Sequence, residues 1–213
     1  MWWTDERIRL FKVAADNSTF HSELKNLLLP YISKSDSIIE LGCGLGYIVN
    51  FLTKDGYNIV GLDSDEKAYN FALSKFPNSN FILGDAFNVN KTYDVVISIF
   101  FGRIKEEDNL EKLLRVANKR LIYVQNEHAG AMETQYAKSK ETAEFLKQHN
   151  INFQYSLHRL SFDQPLKDEA EAESFINENY KNRKINISIE KTNNGLIAKN
   201  NKAFGIFLIE KEN

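Results

Sequence analysis

Between residues 37 and 54 an apolar run, "SIIEL", meets three glycines at alternate positions, Gly42, Gly44 and Gly46. Apolar residues then recur at helical spacing: Tyr47, Ile48, Phe51 and Leu52. A chain that turns from a buried strand into a helix within so few residues needs positive φ or close backbone approach, and glycine supplies both. The helix beyond the turn offers free amides to a ligand. The pattern is G-x-G-x-G, and Tyr47 stands where G-x-G-x-x-G would place its last glycine, so the dinucleotide fingerprint is broken there. No G-K-[ST] follows, which excludes a Walker loop.

The rest of the chain repeats this alternation. Helical spacing marks residues 5–15 and 21–32, with Ser18 or Thr19 placed to cap the second and Pro30 near its end. Strands are expected over 37–41, 58–62, 80–83, 93–100, 121–125, 153–161, 185–190 and 204–210. Helices are expected over 44–54, 64–75, 106–118, 134–148 and 167–179, the last a polar face with Phe175, Ile176 and Tyr180 turned inward. An "NNG" turn signal sits at 193–195. Strands separated by helices imply crossover connections, a mainly parallel sheet and helices on both faces. The loops after residues 41, 62, 83, 100 and 125 should share one rim, where such sheets bind ligands.

A length of 213 residues suits one α/β domain with a small appendage. Residues 1–34 read as an N-terminal helical lid, and 35–213 as the main domain. The net charge of −2 announces no broad basic face, so nucleic acid is an unlikely partner. One cysteine, Cys43, excludes an internal disulfide and a cysteine-built zinc cluster; it reads as a small turn residue. The N-terminal "MWWTDERIRLFKVAADNS" carries charges throughout, unlike a signal peptide, and apolar runs fall far short of a membrane helix. The expectation is a cytoplasmic protein without a membrane partner, a monomer or homodimer.

Three carboxylates mark the rim. Asp63, closing "IVGLD", can accept two hydrogen bonds from a ribose diol, and can equally cap a helix beginning at Ser64. Asp85 in "FILGDAF" can meet an adenine edge, or be only a turn residue. Glu40, just before the glycines, can sit near a positive charge. A ligand with an adenine, a ribose and a cationic centre suits all three better than a pyrophosphate does. With "IIELGCGLG", "IVGLDSD", "FILGDAF" and "YDVVISIF" in order, the chain resembles the class I S-adenosylmethionine-dependent methyltransferases. The resemblance is firm over 37–126 and loose over 127–213. It implies a three-layer α/β/α sandwich around a seven-stranded, mainly parallel sheet with an antiparallel last strand, in keeping with the "AFGIFLIEK" ending. It also implies S-adenosylmethionine as cofactor and S-adenosylhomocysteine as product. Glu40, Gly42 and Gly44 would then cradle the methionine part. Asp63, with Ser64, would take the ribose, Asp85 and Ala86 the adenine, and Ser98 and Ile99 would pass beside the methyl group.

The acceptor is less legible. No N-P-P-Y motif follows the fourth strand, which argues against amide or adenine nitrogens, and no catalytic Pro-Cys is present. Phe100 and Phe101 are placed to wall an apolar acceptor pocket or to join the core. After the fifth strand Gln125, Asn126, Glu127 and His128 cluster at the rim, with Asn126 a contact for the acceptor and His128 the leading general-base candidate. His21 is a second base candidate where a lid would fall. His158 on the sixth strand and Arg103 are further acceptor contacts; each also reads as an ordinary surface residue. Trp3, in the Trp2–Trp3 pair, would close over the acceptor. No zinc or magnesium site is implied. The first reading is methyl transfer by in-line displacement to a small-molecule acceptor. The alternatives are a protein or tRNA acceptor, or a cofactor-binding partner subunit without catalysis.

Overall fold

The computed structural model describes residues 2–106, 108–127, 137–180, 188–193 and 195–211. Seven strands form one sheet: β1 (Ser37–Leu41), β2 (Asn58–Asp63), β3 (Asn80–Leu83), β4 (Tyr93–Ile99), β5 (Ala117–Asn126), β6 (Phe153–Ser161) and β10 (Asn201–Glu210). Their order is β3-β2-β1-β4-β5-β10-β6. The β1, β2, β3, β4 and β5 neighbours pair in parallel, while β10 runs antiparallel to both β5 and β6. The order reverses beside β1, so the carboxyl ends of β1 and β4 flank the switch point where such sheets take ligands.

Alternation along the strands builds two cores. Ile38, Val95, Ile97, Phe204 and Ile206 face one side of the sheet, beneath α2 (Phe20–Leu28) and α3 (Tyr47–Lys54). Ile39, Val96, Leu121, Phe207 and Ile209 face the other, packed against α5 (Asn109–Val116) and α6 (Ala137–Gln148). Central strands covered on both faces must be apolar on both. That is why 93–100 shows no polar alternation after Asp94.

The helix expected from residue 44 begins at Tyr47, because Gly44 (φ +52°) and Gly46 (φ +76°) are left-handed and belong to the turn. α4 (Glu66–Lys75) is capped by Asp65, which accepts the Lys67 and Ala68 amides. Thr19 holds the N-cap position of α2, but its hydroxyl goes to Glu23 instead of an amide. Pro30 turns the end of that helix into a short 3-10 turn, Leu29–Tyr31.

The excursion between β6 and β10 makes a second sheet. β7 (Gln164–Leu166), β8 (Ile189–Thr192) and β9 (Gly195–Ala198) pair in the order β7-β9-β8, with α7 (Glu169–Tyr180) alongside. β8 and β9 pair antiparallel, with Thr192 opposite Gly195 at the expected turn signal. α1 (Asp5–Asp16) docks on this unit. Leu10 joins Leu166, Ala172 and Ala198 in a small apolar cluster, and Gln164 Nε2 donates to the Leu10 carbonyl. No helix among the described residues is long and apolar enough to cross a membrane.

Candidate active site

The glycine turn is fastened to the neighbouring strand. Gly42 and Cys43 amides both donate to the Leu62 carbonyl, at 2.8 and 3.0 Å. Asp63 ends that strand and holds the turn with one oxygen, accepting the Gly44 amide at 2.7 Å; its other oxygen accepts the Asp65 amide at 2.9 Å. An ionised carboxylate has about four acceptor positions, so two such bonds leave capacity for a ligand diol. Glu40 lies beneath the turn, 4% exposed, and its Oε2 has no hydrogen-bond partner. Burial, and then the charge of Asp63, push the Glu40 carboxyl up to about 8. A buried carboxyl oxygen left without a partner is a waiting place for a cation or a donor. Burial, with Glu40 and Asp63 nearby, likewise raises the Cys43 thiol, which makes it a poor nucleophile.

In front of the turn opens a cavity of about 840 Å³. Glu40, Gly42, Gly44, Asp63, Ser64, Trp3, His21, Phe100, Phe101 and Asn126 all line it. Phe101 covers Gly42: a Cβ there would stand 2.3 Å from its ring. Trp3 covers Gly44, with 3.1 Å to the nearest ring atom. Phe100 is left-handed at φ +57°, a conformation costly for a bulky residue and met at functional sites. The fully buried Ser98 supports this bend by donating its hydroxyl to the Phe101 carbonyl at 2.8 Å.

Other expected residues fall outside the cavity. Asp85 accepts the Phe87 amide at 2.9 Å and Asn88 Nδ2 at 2.6 Å, fixing a 3-10 turn that begins at the buried Ala86. Phe87 stacks on Phe101 with centroids 5.6 Å apart, which ties that turn to the cavity wall. Arg103 is exposed and paired with Glu106 at 2.8 Å. His158 meets Ser156 at 2.7 Å and stacks on Phe204, away from the lining. Gln125 bonds Tyr123 and Thr142, while buried Glu127 accepts the Lys138 and Ser139 amides at the start of α6. His128 lies outside the described residues. His21 is 7% exposed and stacked on Tyr47, its Nδ1 unpartnered. Burial, then the nearby Lys202 charge, push its pKa down to about 3, so the ring is neutral across the physiological range.

The structure adds residues the sequence did not single out. Asp65 accepts the backbone amides of both Trp2 and Trp3 at 3.1 Å, which straps the N-terminal segment across the cavity mouth. Phe11 and Phe20 join Phe162 in an aromatic group beside it. Lys202 reaches the cavity from β10. Nothing local distinguishes these positions; only the antiparallel pairing of β10 brings Lys202 there.

Residues 38–122 match the family model of a methyltransferase domain. That stretch is less than half of the chain. Solved structures share the fold at low identity. A TehB-like SAM-dependent methyltransferase from Corynebacterium glutamicum superposes with a TM-score of 0.56 at 17% identity, over 98% of this chain and 97% of that one. A Thermoplasma acidophilum protein gives 0.58 at 14%, over 96% of each chain. Magnesium protoporphyrin IX methyltransferase from Synechocystis, with bound SAH, gives 0.50 at 15%, over 99% of this chain and 89% of that one. No curated protein matches the chain. The glycine turn and the cavity-lining carboxylates Glu40, Asp63 and Asp65 fall within the matched residues.

Proposed function

We propose that the chain transfers a methyl group from S-adenosylmethionine to a small-molecule acceptor. The observation that carries this reading is the buried, unpartnered Glu40 oxygen beside Asp63, under a glycine turn that opens on a walled cavity. The site's residues fit the cofactor. Glu40 would face its cationic methionine end, the amides of the turn its carboxylate, and Asp63 with Ser64 its ribose. What the cofactor supplies is a methyl activated on a sulfonium sulfur. What the chain supplies is alignment and dryness: an acceptor atom held in line, with water excluded. Covalent catalysis is unnecessary.

The walls favour a small acceptor. Phe11, Phe20, Phe100 and Phe101 line the cavity with aromatic rings, and neutral His21 offers a hydrogen bond instead of a charge. Trp3, α1 and the small β7–β9–β8 sheet would act together as a lid. The contact of α1 with β7, β9 and α7 supports treating the N-terminal lid and that unit as one cap on the main domain. The test is transfer of a labelled methyl group from S-adenosylmethionine into fractionated cell extract. Label in the small-molecule fraction supports the reading. Label confined to RNA or protein would overturn the acceptor class and leave the methyltransferase standing.

A further inference from the structure

The charges around the cavity are segregated. Glu40, Asp63 and Asp65 stand at the glycine end. With His21 neutral, Lys202 is the one cation among the described residues that line it. It enters from β10, which the sheet order separates from β1 by β4 and β5, roughly 14 Å at ordinary strand spacing. Its Nζ lies 5.5, 5.0 and 4.9 Å from the ring centres of Phe20, Phe100 and Phe162. Among the described residues it makes neither an ion pair nor a hydrogen bond, whereas nearby Lys199 is paired with Asp163. Part of its surface faces the cavity and the rest is packed in protein. Desolvation draws its pKa down to about 8, which still leaves it mostly charged at neutrality.

A desolvated ammonium without a counter-charge is costly, and aromatic faces offset only part of that cost. An anion entering the cavity would complete it. We propose that Lys202 is the acceptor-recognising residue, and that the acceptor is a flat apolar molecule bearing an anionic oxygen, a carboxylate or a phenolate. This rests on the methyltransferase reading and deepens it: the cationic cofactor lies toward the acids and the anionic acceptor toward the lysine. Phe100, held left-handed against Lys202, sets the distance between them.

Calorimetric titration of the full chain saturated with S-adenosylhomocysteine tests this. The probes are benzoate against benzamide and 4-nitrophenolate against 4-nitroaniline. At least one anion should bind about tenfold tighter than its neutral partner, the scale of a charge-assisted contact. The pair that shows the preference distinguishes carboxylate from phenolate. In Lys202→Met the preference should vanish with S-adenosylhomocysteine affinity unchanged, and Lys202→Arg should restore it. Equal binding of anion and neutral partner in both pairs overturns the proposal, and that comparison needs no variant. A preference that survives Lys202→Met also overturns it. So does a Lys202→Met protein that loses S-adenosylhomocysteine, since the lysine would then hold the cofactor's own carboxylate. If the unaltered chain fails to bind S-adenosylhomocysteine at all, the methyltransferase reading itself falls.

Discussion

Burial and the charge of Asp63 push Glu40 up to about 8, so in the ligand-free protein it carries a proton at neutrality. The sign of its pH effect follows. Between the ordinary value of 4.5 and about 8 the folded state binds the extra proton, so stability falls as pH rises through that window. A cationic ligand favours the ionised form. Affinity for S-adenosylmethionine should therefore rise with pH up to about 8, with a proton released on binding. Glu40→Gln should abolish both slopes and weaken binding by about tenfold, the worth of a contact to a charged group. A variant with the slope intact would remove Glu40 from the cation site. Asp63→Asn keeps one oxygen for the Gly44 amide and loses the second charged acceptor. It should lower cofactor affinity by about 1–3 kcal/mol, and wild-type affinity would count against the ribose assignment. Glu40 and Asp63 were legible because each sits at a fixed offset from a strand end. The environment of His21 was not, since spacing tells nothing of the burial or the lysine that keep it neutral.

At the scale of elements, the strap and the turn are held by few contacts. Asp65 caps α4 and clamps the Trp2 and Trp3 amides with the same side chain. Desolvation pushes its pKa up, but the amides of Trp3, Ala68, Lys67 and Trp2 outweigh that and hold it below the usual range. The stability it adds is present above the unfolded carboxylate range and lost as pH falls. Asp65→Ala should cost about 1 kcal/mol through the cap. It should also shift tryptophan emission to the red, because Trp2 and Trp3 are the only two in the chain. A melt that drops with an unshifted spectrum would mean the strap is held elsewhere. Gly61 on β2 lies behind the turn, where a Cβ would come within 2.8 Å of Cys43 Sγ and Val49 Cγ2. Gly61→Val should lower stability by about 1–3 kcal/mol through overpacking, read in a thermal melt. Most strands and helices were legible from periodicity. The start of α3 was not, since the helical spacing continues into glycines that are left-handed. The β7–β9 pairing was missed because it joins two short segments far apart in the chain.

Across the whole molecule, one sheet sets the proposed cofactor and acceptor groups side by side along its rim. The strand order is β3-β2-β1-β4-β5-β10-β6, with β10 antiparallel to both its neighbours. It places Glu40 and Asp63 on one side of the switch point, and Phe100, Asn126 and Lys202 on the other. The first half was legible in the sequence because its residues lie within one βαβ unit. The second half is assembled from strands distant in the chain, so Arg103 and His158, close to it by sequence pattern, lie off the cavity. The measurement that bears most directly on this account is parallel calorimetric titration with S-adenosylmethionine, S-adenosylhomocysteine and NAD. Micromolar binding of the first two with none of NAD is the expected result. Binding of NAD alone would contradict the account and make the chemistry redox.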